Sequence, residues 1–182
     1  MIFFTSDHHW NHSSVTGGII TFCNRPFSDI PTMNREMIKT WNSIIKDDDE
    51  VYYLGDFSFG SKKRIGFFIN QLKGKIYFIK GNHDYSRNLN WLQSIGKIEW
   101  WKYHYEFEYE HDGITYTFVL SHYQHQPIKE NVISLFGHSH GNYIRFPGGL
   151  DVGVDNVGFK PISIIDVIEF YKKSKNENTN NS

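Results

Sequence analysis

Met1-Ile2-Phe3-Phe4-Thr5-Ser6 runs directly into Asp7-His8-His9. A short run rich in aromatic and β-branched residues reads as a buried strand. Here it stops on residues that bind metal well. The same arrangement recurs in four later stretches. Val51-Tyr52-Tyr53-Leu54-Gly55 precedes Asp56, and Ile76-Tyr77-Phe78-Ile79-Lys80-Gly81 precedes Asn82-His83-Asp84. Tyr116-Thr117-Phe118-Val119-Leu120-Ser121 precedes His122, and Val132-Ile133-Ser134-Leu135-Phe136-Gly137 precedes His138-Ser139-His140. In an α/β sheet, ligands gather just beyond the carboxyl ends of the strands. Five strand ends delivering Asp, Asn and His to one rim predict a polynuclear metal site.

Between these runs the pattern turns helical. Met33, Met37, Ile38, Trp41, Ile44 and Ile45 recur at helical spacing, with Thr32 as the expected N-cap. Ser61–Leu72 and Arg87–Ile95 read as two further helices, and the stretch from Trp10 to Pro31 as a long polar loop. The order β-α-β-α-β-α argues for a largely parallel sheet. The second half changes character. Tyr103–Glu110 and Ile114–Leu120 alternate across His111-Asp112-Gly113, a hairpin signal. Short strands are expected at Asn142–Arg145, Leu150–Val154 and Ile162–Ile168. Lys172–Ser182 is polar and Asn-rich and is expected to be disordered, leaving 1–171 as a single domain.

A chain of 182 residues, 39% hydrophobic and 17% aromatic, can bury a substantial core. The net charge is -1 and no basic stripe is present, which disfavours long nucleic acid as a partner. Cys23 is the one cysteine, so no intramolecular disulfide can form; it reads as a small buried residue. No signal peptide and no membrane-length apolar run is visible. The expectation is a cytoplasmic protein that does not enter the membrane.

In extended chain, residues i and i+2 point the same way. Asp7 and His9 are then expected to share a site that His8 does not face, and His138 to pair with His140. Gly55 allows close backbone approach beside Asp56. Asp56 is the candidate bridge between two ions, with Asn82 and His122 completing the second. The donors are oxygen and nitrogen, a set that suits Mn, Fe, Ni or Zn, with Mn favoured. Two divalent ions carry four positive charges. Asp7, Asp56 and a hydroxide return three, and the remainder is aimed at an oxyanion. Paired ions about 3.5–4 Å apart clamp a phosphate and activate water for in-line attack. His83 is the candidate to assist the leaving group, with Asp84 expected to orient it.

Asp7-x-His9, Gly55-Asp56, Gly81-Asn82-His83-Asp84, His122 and Gly137-His138-Ser139-His140 occur in that order. Together they resemble the calcineurin-like metallophosphoesterase superfamily, over residues 7 to 140. The resemblance implies a four-layer αββα sandwich of two mixed β-sheets flanked by helices, an α/β fold with a dinuclear site at its edge. It implies that Asp7, His9, Asp56 and His140 hold one ion, and Asp56, Asn82, His122 and His138 the other. It also gives His83 a catalytic role and Asp84 its support. Phe57-Ser58-Phe59-Gly60 stands where the protein Ser/Thr phosphatases continue with Asp-Arg-Gly, so the chain looks more like the short phosphoesterases of bacteria and their phages.

The expected function is hydrolysis of a small phosphate ester: a phosphodiester, a cyclic nucleotide or a nucleotide monoester. Two alternatives are a nuclease on DNA or RNA ends and a non-catalytic, metal-bearing scaffold for protein partners. His12, Asn11 and Arg25 are candidates to touch the substrate phosphate, each weighed against an ordinary surface role. His125 is a rival to His122 and reads as a loop residue. Trp100, Trp101, Tyr103 and Tyr105 are expected to serve in packing rather than in stacking a nucleobase.

Overall fold

The computed structural model describes residues 1–126, 129–143 and 146–179. In chain order the elements are β1 (Ile2–Thr5), α1 (Gly18–Phe22), α2 (Ile30–Ile44), β2 (Glu50–Tyr53), α3 (Lys62–Ile69), β3 (Lys75–Ile79) and α4 (Ser86–Ser94). There follow β4 (Trp100–Lys102), β5 (His104–His111), β6 (Ile114–Ser121), β7 (Val132–Phe136), β8 (Gly149–Asp151), β9 (Ile162–Ser163) and α5 (Ile164–Thr179). One sheet has the order β4-β3-β2-β1-β9, parallel except for β9. The other has the order β5-β6-β7-β8, parallel except for the β5–β6 hairpin.

Strand alternation gives the first sheet two apolar faces. Phe3, Val51, Tyr53, Ile76 and Phe78 meet Met33, Met37 and Trp41 of α2, Ile65, Phe68 and Ile69 of α3, and Leu89 and Leu92 of α4. Phe4, Tyr52, Leu54 and Ile79 face the second sheet, meeting Tyr116, Phe118, Leu120, Ile133, Leu135 and Leu150. Phe4 stacks on Phe118 with ring centres 5.6 Å apart. Truncating a ring in such a core costs about 3–5 kcal/mol. Helix α5 seats Ile164, Val167, Ile168 and Tyr171 in the same inter-sheet core. The fold is thus two mixed sheets flanked by helices, with α5 packed at the edge of the inter-sheet core beside β9 and β1. Glu106, Glu108 and Glu110 of β5 remain exposed on the outer face of the second sheet.

Several expectations need correction. Helix α1 lies inside the stretch read as loop. Helix α2 starts earlier than expected: Asp29, not Thr32, is the N-cap, accepting from Thr32 N at 2.7 Å, with Pro31 in the first turn. The strand expected at 162–168 is only two residues long. Ser163 Oγ accepts from Asp166 N at 3.1 Å and donates to Asp166 at 2.6 Å, and this cap turns the apolar run into α5. That helix continues to Thr179, so residues 172–179 are helical rather than a disordered tail. Lys172 and Lys175 pair there with Asp112 and Glu130. Residues 180–182 lie outside the described residues, as do 144 and 145 of the strand expected at 142–145; Asn142 and Tyr143 are in no strand. Among the described residues, no helix is long and apolar enough to cross a membrane.

Trp100 and Tyr105 are taken up in sheet packing around Tyr52 and Tyr77. Trp101 Nε1 donates to Asn90 at 2.9 Å, while Tyr103 is exposed.

Candidate metal centre

Strand β1 ends at Thr5, and the chain beyond it is not extended. Asp7, His9 and Asn11 are left-handed, with φ of 59°, 52° and 61°. The pairing of Asp7 with His9 therefore arises from alternating left-handed residues, not from the strand geometry expected. Hydrogen bonds tie this loop to the next strand end: Asp7 N donates to Gly55 O at 3.0 Å and His9 N to Asp56 O at 3.2 Å. Asp56, His138 and His140 are also left-handed, with φ of 57°, 69° and 48°. Such backbone costs of the order of 1–3 kcal/mol per residue, and it clusters at functional sites.

Glycine makes the crowding possible. Gly55 has φ of 99°, and a Cβ there would stand 2.6 Å from His122 Nδ1. A Cβ at Gly81 would collide with the Asp56 carboxylate, and one at Gly137 with Ser6 and Asp7.

Two donor groups result, each with its donor atoms within 4.8 Å of one another: Asp7, His9 and His140, and Asp56, His122 and His138. Asp56 Oδ2 lies between them, 3.6 Å from His9 Nε2 and 3.6 Å from His122 Nε2. Asn82 Oδ1 is 2.8 Å from His122 Nε2. The structure thus gathers Asp7, His9, Asp56, Asn82, His122, His138 and His140 around one carboxylate. Several of their other atoms have partners in the protein. Leu54 O accepts from His122 Nδ1 at 2.8 Å, and Asp7 Oδ2 accepts from His138 N at 2.9 Å and from Ser6 Oγ. Asp7 Oδ1 and both ring nitrogens of His9 are buried with no protein partner. Buried polar atoms without partners are costly, and a cation there would satisfy Asp7 Oδ1 and one ring nitrogen of His9.

Electrostatics point the same way. Burial lifts the Asp7 carboxyl to about 8, against the opposing pull of Ser6 and His140. Burial also raises Asp56 and lowers His9, and lowers His122 to about 4 despite its bond to Leu54 O. Neutral imidazole is the form that ligates metal. His140 is the exception: burial opposes its charge, but hydrogen bonding to Asp155 and to Cys23 raises it to about 10. The donor set and its orphaned atoms fit divalent ions.

Three residues around the cluster went unread in the sequence or were misread. Asp155 Oδ2 accepts from His140 Nδ1 at 2.7 Å. Arg25, expected as a phosphate contact, is only 4% exposed. It donates to Asp155 at 2.7 and 2.8 Å, to Asp7 O at 2.7 Å and to His8 O at 2.8 Å. It is a buried clamp and does not face the site's mouth. Cys23 is half-exposed, not buried, and its thiol falls in one donor group with His140 and Asp155.

Asp84 also departs from expectation. Its carboxylate accepts from the backbone amides of Asp56 at 2.7 Å, Gly81 at 2.9 Å and Phe57 at 3.1 Å. It braces the loop that carries Asp56 and does not orient His83. His83 is 45% exposed, with Nε2 3.9 Å from Asp56 Oδ2. His12 stacks on Phe59 at 4.1 Å, beside His9 at 5.6 Å. The Asn11 backbone amide donates to Asn34 Oδ1 at 3.3 Å. His8 points away from the cluster, its Nδ1 2.8 Å from the Tyr53 hydroxyl. His125 is an exposed loop residue.

Residues 1–179 match the family model described as calcineurin-like phosphoesterase. An uncharacterized protein of Methanocaldococcus jannaschii is 32% identical over 186 residues, covering 96% of this chain and 93% of its own. A crystal structure of a protein of unknown function from Aquifex aeolicus shares the fold, with a TM-score of 0.67 and 23% identity over 93% of this chain and 98% of that one.

Proposed function

The chain belongs to the calcineurin-like phosphoesterase family, and on that premise we propose that it is a dinuclear metal-dependent hydrolase of small phosphate esters. Asp7, His9, Asp56 and His140 would hold one divalent ion, and Asp56, Asn82, His122 and His138 the other. The observation that carries this reading is the equal 3.6 Å reach of Asp56 Oδ2 to His9 and His122, one from each donor group. Bound there, two such ions supply Lewis acidity to a phosphate oxygen and lower the pKa of water. Manganese is the ion proposed, and iron, nickel and zinc also suit oxygen and nitrogen donors.

The protein's own groups prepare this chemistry. Leu54 O and Asp155 fix the Nδ1–H of His122 and of His140, so that the Nε2 lone pairs are turned toward the cluster. Ser6 and the His138 amide occupy Asp7 Oδ2 and leave Oδ1 for an ion. Asp84 and the glycines hold the loops at a separation that no larger residue permits. In hydrolysis the ester P–O bond breaks, a P–O bond to the oxygen of water forms, and the departing oxygen takes up a proton. We assign delivery of that proton to His83, a reading supported by its exposure at the edge of the cluster, with Nε2 3.9 Å from Asp56 Oδ2.

The test is metal analysis combined with turnover of phosphate monoesters, linear diesters and cyclic nucleotides, before and after chelation. Two bound ions per chain and chelator-sensitive hydrolysis are expected. Turnover that persists after complete metal removal would overturn the reading.

A further inference from the structure

Three aromatic rings border the donor cluster, each against different histidines. Phe22, the last residue of α1, is 79% exposed, and its ring stands edge-on to His140 with centres 6.2 Å apart. Tyr123 is 54% exposed and lies 4.7 Å from the His138 ring and 5.1 Å from that of His122. Phe59 is half-buried, 4.9 Å from His83 and 5.6 Å from His9.

These placements are not forced by packing. Helix α1 sends Ile19 and Ile20 into the core while Phe22 turns outward. His122 is buried, yet the residue after it is left in water. Phe67, Tyr85, Tyr103 and Phe170 are exposed as well, but the ring contacts of Phe67 and Tyr103 are with Phe68 and Trp101 rather than with a histidine of the cluster.

The rings surround a polar centre rather than forming one continuous apolar patch. A protein surface pressed on them would desolvate the donors without satisfying them. A small molecule with an anionic phosphate joined to a flat ring would satisfy both, because aromatic faces stack on rings of any sequence or substituent. Resting on the phosphoesterase reading above, we propose that Phe22, Phe59 and Tyr123 form a recognition rim for phosphate esters that carry a planar aromatic group, an aryl ring or a nucleobase. The rim would set which ester is held and leave the hydrolytic step to the donor cluster.

The test is calorimetric titration of the metal-loaded full chain with two matched pairs. Benzylphosphonate against methylphosphonate isolates an aryl ring, and adenosine 5′-monophosphate against ribose 5-phosphate isolates a nucleobase. In at least one pair the ring-bearing member should bind roughly 5- to 100-fold more tightly. The pair that shows the preference identifies the source of the ring. Phe22→Leu combined with Tyr123→Leu keeps apolar bulk, removes two of the three rings and should lower that ratio at least about threefold. Both side chains are exposed, so the fold should survive, and an unchanged melting temperature checks this. Equal binding within both pairs, or a preference undiminished in the double variant, would overturn the rim. Turnover of the ester panel is read separately. No ring preference in the unsubstituted chain with hydrolysis intact removes the rim alone, whereas absent hydrolysis removes the phosphoesterase reading, and the titration still decides the rim.

Discussion

Asp155 holds His140 through a 2.7 Å hydrogen bond to Nδ1, while Arg25 binds the same carboxylate from its other side. The pair aims one ring nitrogen by occupying the other. Asp155→Ala should therefore weaken metal binding at the position shared with Asp7 and His9 by roughly 10- to 100-fold. Asp155→Asn, which keeps an acceptor oxygen, should lose less. Competition titrations with a chromogenic chelator measure both. Equal and full affinity in the two variants would deny Asp155 any part in positioning His140.

Asp56→Asn removes the charge from the carboxylate that reaches both donor groups. Metal content should fall below two ions per chain, and kcat by at least roughly 100-fold. Elemental analysis and ester turnover on one preparation check this. A variant that keeps two ions and full activity would mean that Asp56 bridges nothing.

Asp84→Ala leaves three buried amides, those of Asp56, Phe57 and Gly81, without their acceptor. Unsatisfied buried donors cost about 1–3 kcal/mol each, so a total loss of about 3–5 kcal/mol is expected, since water will re-enter in part. Urea unfolding reads this directly. A change below about 1 kcal/mol would show that the bracing is dispensable.

His83→Gln should retain both ions while kcat falls by roughly 10²–10⁴-fold. The loss should be smaller for a nitrophenolate leaving group, which needs little protonation, than for an alkoxide. An equal loss for the two classes would assign His83 to charge stabilisation or substrate positioning instead.

The donors were legible in the sequence because each sits where an apolar run stops, and burial periodicity survives in a one-dimensional reading. Their supports were not. Arg25 and Asp155 are 130 residues apart, and neither carries a local pattern that names the other. Asp84 was read as the partner of its neighbour His83, but its real partners are backbone amides, which no side-chain pattern reports. Phe22 and Tyr123 were passed over because an exposed aromatic looks like any other aromatic until the surrounding residues are placed. The error at 162–168 has a different cause. A short apolar run fits strand and helix equally, and the cap formed by Ser163 and Asp166 decides between them.

The hydrogen bond from the His138 amide to Asp7 spans 131 residues, and Ser6 bridges to Gly153 beside it. The first strand thus exposes its donors early in synthesis but meets their counterparts only when nearly the whole chain has emerged. Contacts of such separation form late, because the long loop between them must first be closed. A nascent chain that ends before His138 therefore lacks His138 and His140, one donor from each group of the cluster. The donor cluster is assembled only once the chain out to Asp155 has folded back on the first strand.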